Sequence, residues 1–205
     1  MSGLLEAIRR CNVHLKLDNN TEGFGNCFPN AIVQQCRRAE ISTYLLEKNH
    51  KGIFKSPQAL RREISYFALN HEHKTLNAYK NNYEATLYNT DRTWMDYWVN
   101  MGRDGTWVDS VFIQVAAWYI GLDIQILTTS SQPDNPFIVI SGNINNPLIN
   151  SGGPRLLIGN YTNVHYQSLL PSKNDNDTKV IKSSQKEEEE FVIVQDNFIY
   201  TKEFR

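Results

Sequence analysis

The chain has 205 residues, with 21 Lys and Arg against 22 Asp and Glu, for a formal charge of −1. That length predicts one compact domain around a single core. The balanced, interspersed charge excludes nucleic acid or an anionic membrane as a partner recognised through bulk electrostatics. No run approaches the roughly 18 apolar residues of a membrane span, and Met1-Ser2-Gly3-Leu4-Leu5-Glu6 lacks the basic stretch and apolar core of a signal peptide. Cys11, Cys27 and Cys36 cannot all pair and have no C-x-x-C spacing. They predict free thiols in a reducing, cytoplasmic compartment.

Ser2 caps a short predicted helix carrying Leu4, Leu5 and Ile8, which ends before Asp18-Asn19-Asn20. A polar turn, Thr21 to Asn26, leads to Cys27. Beyond it, Phe28, Ala31, Ile32, Leu45 and Leu46, with no glycine through Glu47, predict one long helix. Ser56-Pro57 starts the next, with Leu60, Ile64, Phe67 and Ala68 as its inward stripe. Asn70 to Glu84 reads as a polar link. Asp91 opens a helix with Trp94, Tyr97, Trp98 and Met101 on one face, interrupted by Gly102 to Gly105. Asp109 caps an apolar helix, Val111 to Ile120, closed by Gly121. From Asp123 the pattern turns to β-branched alternation: Ile124 to Thr128, Phe137 to Ile140, Leu156 to Ile158 and His165 to Leu169. Helices first and a sheet after them read as α+β. The predicted organisation is a single domain, 1–205, with its core over about 18–170, a flexible polar loop over 171–190 and a terminal β-hairpin over 191–205.

Cys27 is the cysteine with a setting for reactivity. It stands at a turn-to-helix junction, where the positive end of the backbone dipole stabilises a thiolate. Gly25 lets the turn aim amide hydrogens at a developing oxyanion, so Gly25-Asn26-Cys27 is a candidate oxyanion loop. A buried structural cysteine is the competing reading. His165, on a distant predicted strand, is the candidate base, because activating a thiol needs an imidazole that the fold brings within reach. His71-Glu72-His73 is set aside as a metal motif: alternate histidines on a helix do not share a face, and no third ligand is suggested.

These residues carry a family resemblance. Gly25-Asn26-Cys27-Phe28 with Ala31-Ile32 resembles the cysteine box of the ovarian-tumour (OTU) cysteine proteases. Gly105-Thr106-Trp107-Val108-Asp109, with Gln114, Ala116-Ala117, Gly121 and Ile124, resembles the family's tryptophan segment and the helix and strand after it. His165-Tyr166-Gln167-Ser168-Leu169 resembles its histidine box. The three blocks stand in the family's order and span roughly Thr21 to Leu170. The departures are Phe24 where an aspartate often stands, Pro29-Asn30 in the region of the expected arginine, Val108 for a glycine, and Gln167 where many relatives place the Asp or Asn that orients the imidazole.

The resemblance implies an OTU-like, papain-related fold, with helices packed around a small mixed central β-sheet. It implies a deubiquitinase that hydrolyses the bond after the C-terminal glycine of ubiquitin, polyubiquitin chains or a ubiquitin-like modifier, as a monomer without a cofactor. Cys27 would be the nucleophile, His165 the base, and Gly25, Asn26 and Cys27 the oxyanion donors. Gln167 would orient His165, with Asp18 or Asn19 as the alternative. Trp107 would be either a wall of the substrate channel or a core residue. Asp104, Asp109 and Glu22 would meet the arginines of the ubiquitin tail. A host-directed microbial effector acting in the host cytosol fits the same pattern. Two rivals remain. A papain-like peptidase would need a Gln before and a Trp after Cys27, and neither is there. An inactive OTU-like ubiquitin-binding module would account for Phe24 and Gln167.

Overall fold

The structure, a computed structural model, describes residues 2–18, 25–47, 56–86, 93–161 and 165–172, and the backbone of 194–195 and 198–199. The N-terminal segment forms α1 (Ser2–Arg10) and then β1 (Leu15–Leu17). Leu4, Ala7 and Ile8 are buried on one face of α1, whereas Leu5, expected inward, is exposed. No strand was expected at β1, because three residues, Leu15-Lys16-Leu17, are too short to show a period. It exists because β5 pairs with it.

The long helix expected over 28–47 is two helices, α2 (Cys27–Cys36) and α3 (Ala39–Glu47). The break carries neither glycine nor proline. The chain tightens there, with the Arg37 and Arg38 amides reaching back three residues to the Gln34 and Gln35 carbonyls. The Arg38 guanidinium then bonds Gln35 Oε1 at 2.9 Å. The turn re-aims α3 so that Ile41 and Leu45 are buried and Leu46 faces out.

Next come α4 (Pro57–Asn70), α5 (Lys74–Thr86), α6 (Trp94–Met101) and α7 (Ser110–Ile120). Ser56 caps α4 by accepting from the Ala59 amide at 3.0 Å. The expected polar link over 70–84 is mostly α5, which buries Leu76 and packs Tyr79 edge-on against Trp118 and Tyr83 against Trp94. Polar composition hid a helix held by three side chains. Thr93 and Asp96 form a capping box at α6; Asp91, expected to open that helix, lies outside the described residues. Asp109 caps α7 and left-handed Gly121 ends it, as the sequence predicts.

The sheet follows: β2 (Ile124–Thr128), β3 (Ile138–Ile140), β4 (Leu156–Tyr161) and β5 (His165–Pro171), in the order β1-β5-β4-β2-β3. It is mixed, with β2 and β4 parallel and the other pairs antiparallel. The class is α+β. Alternation divides the sheet's two faces. Ile124, Ile126, Leu156, Ile158 and Tyr166 join the large core with α2, α4, α6 and α7, while Leu127 and Leu169 pack with α1 on the other side. Two short strands, β6 (Val194–Gln195) and β7 (Phe198–Ile199), pair antiparallel. The expected loop over 171–190 and the tip of the expected hairpin, Asp196-Asn197, lie outside the described residues, apart from Pro171 and Ser172. Among the described residues no helix is long and apolar enough to cross a membrane.

Candidate active site

Cys27 is the first residue of α2 and is almost fully buried. The helix starts there because Gly25 takes a left-handed turn, φ 77°, and the Asn26 carbonyl accepts the first helical bond from Asn30 at 2.9 Å. Pro29, in the first turn, costs no hydrogen bond because amides there have no intrahelical acceptor. The Asn26 side chain does not cap the helix. It reaches sideways, donating from Nδ2 to Asp104 Oδ1 at 2.6 Å and accepting from the Gly105 amide at 3.3 Å. The positive helix end is thereby left facing the surroundings of Cys27.

Gly25 is pressed against the second loop. A Cβ built on it would lie 1.9 Å from the Gly105 carbonyl oxygen. From the interior, Arg61 of α4, with no exposed surface, donates through Nη2 to the carbonyls of Gly25 at 2.7 Å and Thr106 at 2.6 Å, and through Nη1 to that of Met101 at 2.8 Å. Burial pulls its pKa down, with Asp104 and then Cys27 opposing. Arg61 is the site residue that sequence reasoning missed. Its signal was present: it sits between Leu60 and Ile64, on the inward side of an otherwise apolar stripe.

α2 lies along β5. Phe28 meets Tyr166 edge-on, with ring centroids 5.2 Å apart, and Gln35 donates to Ser168 Oγ at 2.7 Å and to the Leu169 carbonyl at 2.6 Å. The N-termini of α2 and β5, which carry Cys27 and His165, therefore share one end of this pair. Burial and the nearby Cys27 and Asp109 push the Tyr166 hydroxyl up to about 12. His165 is half-buried, and its pKa is lowered from the ordinary imidazole range chiefly by that burial. Tyr166 and Ser168 face α2, so alternation puts His165 and Gln167 on the other side of β5. No hydrogen bond joins Cys27 and His165 among the described residues. Gln167 donates from Nε2 to the Asp18 backbone carbonyl at 2.7 Å, and Asp18 Oδ2 accepts from Ser168 Oγ at 3.0 Å. Gln167, on β5, and Asp18, beside it, are thus joined to each other through the Asp18 backbone. Asn19 and Glu22 lie outside the described residues.

No protein-family model matches the chain, and no curated protein matches it by sequence. By structure it is similar to the OTU domain of OTUD1, with a TM-score of 0.53 and 13% identity over 82% of this chain and 93% of that one. It is also similar to OTUB1 in the complex h/ceOTUB1-ubiquitin aldehyde-UBCH5B~Ub, with a TM-score of 0.51 and 11% identity over 84% and 83% of the two chains. The fold is that of the OTU domain. A further OTU deubiquitinase, from Wolbachia pipientis wMel, gives a TM-score of 0.45 and 17% identity over 78% of this chain and 90% of that chain.

Within the OTU fold the remaining candidates separate by burial and bonding. Trp107 is 54% exposed, so it is not a core tryptophan. Asp104 is exposed beside Asn26. Asp109 is not an open surface carboxylate: its Oδ1 accepts from the Phe112 amide at 3.0 Å and from the Tyr97 hydroxyl, which makes it a cap and an interior partner. The histidines of 71–73 do not lie on a helix as expected. They link α4 to α5, where His71 stacks on Phe67 and the His71 and His73 rings are nearly parallel, with centroids 6.2 Å apart. Among the described residues no cluster of three His, Cys, Asp or Glu could hold a metal ion.

Proposed function

We propose that the chain is a thiol-dependent isopeptidase of the deubiquitinase type, acting on ubiquitin, its chains or a ubiquitin-like modifier, with Cys27 as nucleophile and His165 as base. The observation that carries this reading is the setting of Cys27. It is the first residue of an uncapped helix, behind a left-handed glycine, on a loop pinned to a second loop, in an OTU fold. One structural neighbour is a complex containing ubiquitin aldehyde, which supports a ubiquitin C-terminus as the acyl group.

In this mechanism the Cys27 thiolate attacks the carbonyl carbon of the terminal glycine, and amides of Gly25, Asn26 and Cys27 hold the oxyanion as it forms. His165 protonates the departing lysine amine, which leaves a thioester on Cys27. It then takes a proton from water, whose oxygen attacks the thioester and frees the ubiquitin carboxylate and the thiol. No cofactor enters. Trp107 flanks the entering tail and Asp104 attracts its arginines. Gln167 orients the imidazole, with Asp18 as the alternative, and the whole chain acts as one monomeric domain. Cys27 and His165 are not hydrogen-bonded to each other, and catalytic contacts often tighten only around substrate.

A second reading, a ubiquitin-binding module without turnover, is favoured by one observation: the Gln167 amide is committed to the Asp18 backbone. Ubiquitin carrying a C-terminal thiol-reactive group decides between the two. The proposal expects a covalent adduct on Cys27 that is lost in Cys27→Ala, and cleavage of at least one diubiquitin linkage by the wild-type protein. Binding without adduct or cleavage establishes the second reading.

A further inference from the structure

We propose that Arg61 is the positioning residue of the oxyanion loop, fixing the Gly25–Asn26 peptide plane from inside the protein. The proposal rests on the reading of Cys27 as an acyl-transfer nucleophile.

Buried arginines are ordinarily matched by carboxylates. Arg61 is fully buried, yet the single ion pair among the described residues is Arg38–Glu40, and the Arg61 Nε has no hydrogen-bond partner. What its guanidinium meets instead is three backbone carbonyls from three segments, with the Phe112 ring 5.3 Å from its central carbon. Its position is set by α4 and by the Met101 carbonyl at the end of α6. From there one nitrogen, Nη2, holds the two loops that meet beside Cys27.

The consequence follows from peptide geometry. The peptide bonds of the described residues are trans, and in a trans peptide the C=O and the following N–H point in opposite directions. With the Gly25 oxygen drawn inward to Arg61, the Asn26 N–H is turned the opposite way, toward the outer side of the loop. There the Asn26 side chain is fastened to Asp104 and Gly105. The peptide two bonds ahead of Cys27 is thus gripped on both sides, before any substrate arrives. An oxyanion donor that is already oriented costs no reorganisation during reaction. A left-handed glycine, otherwise free to swing, is what makes such a grip necessary.

The test uses Arg61→Met, which removes donors and charge, and Arg61→Lys, which keeps the charge and loses the fork. Three readouts are taken on the full chain: amide hydrogen exchange over 25–28 and 104–107, alkylation of Cys27 by iodoacetamide, and hydrolysis of ubiquitin carrying a C-terminal fluorogenic amide. Alkylation at a saturated carbon develops no oxyanion, so it reports thiol access alone. The expected result is faster exchange in both loops with α7 unchanged and alkylation nearly unchanged. Turnover should fall about 100- to 1,000-fold in kcat with little change in KM, and Lys should restore part of it. If Arg61→Met does not fold, Arg61→Lys carries the same comparison. Unchanged exchange in the loops overturns the proposal, as does unchanged kcat, or a parallel fall of alkylation and turnover that marks general loosening. A wild-type protein that is alkylated at Cys27 but hydrolyses nothing overturns the acyl-transfer reading instead, and the exchange data then decide the clamp on their own.

Discussion

Replacing Gly25 by alanine tests the site at its tightest point. An L-residue held at φ 77° carries about 1–2 kcal/mol of strain. The new Cβ would also lie 1.9 Å from the Gly105 oxygen and 2.4 Å from its carbonyl carbon, so the two loops must separate by about 1 Å or more. That separation breaks the charge-assisted bonds from Asn26 to Asp104 and from Arg61 to the Gly25 carbonyl, each about 1.5–3 kcal/mol. Borne in full, these terms reach about 4–8 kcal/mol. The cheaper relaxation is for the loop to release the Gly105 turn, so the expected stability loss is about 2–4 kcal/mol, a drop of roughly 4–16 °C in Tm for a chain of this length. Gly121→Ala is the control: φ is 72° there, but nothing lies within 4 Å of the added Cβ. Thermal unfolding and hydrolysis of a fluorogenic ubiquitin amide are measured on both variants. Gly25→Ala should lose about 100- to 1,000-fold in kcat while Gly121→Ala keeps wild-type turnover. If the two variants match in both Tm and kcat, the pressed-loop argument is wrong.

Native alkylation followed by peptide mapping should modify Cys27 before Cys36, whose thiol burial pushes up to about 12 and which should react only on unfolding; early labelling of Cys36 would contradict the packing around α2. Because burial lowers the His165 pKa, the neutral base persists into more acid solution, so the acid limb of kcat/KM should lie below about pH 6.5. The unfolded state takes up that proton first, so stability should fall with pH through the same window; a limb above pH 7 would refute the assignment. Asp109→Ala should cost about 1 kcal/mol for the α7 cap and about 1–3 kcal/mol more for the stranded Tyr97 hydroxyl, read by denaturant titration, with KM unchanged. Asp104→Asn should raise KM at low salt and, because an amide oxygen can still accept from Asn26, lower Tm by less than Asp109→Ala does; the reverse pattern would exchange their roles. Gln167→Ala should lower kcat more than Asp18→Ala does, and equal turnover by both variants would remove each as orienter.

Much of this protein was legible before folding, and the reasons are local. The Asp109 cap, the Gly121 stop, the apolar run of α7 and the alternation of β2 are written in residues a few positions apart, where helix and strand physics acts directly. Cys27 and Gly25 belong to the same class, because a turn glycine before a helix is a short-range signal.

What the sequence left open depended on distant partners. β1 is a strand because β5 offers it hydrogen bonds more than 150 residues away in the chain. α5 is a helix because three side chains find an aromatic wall built by α6 and α7. The division of one long helix at Arg37-Arg38 followed from what α3 had to bury. Asp109 read as a carboxylate for substrate until Tyr97 was seen against it. Arg61 drew no reading from the sequence, and its role comes from the carbonyls of Gly25, Met101 and Thr106 that close around it. The periodicities of helix and strand are properties of neighbouring residues, so the sequence carries them. The partner of a buried charge or an edge strand is chosen by packing, and only the tertiary structure could name it.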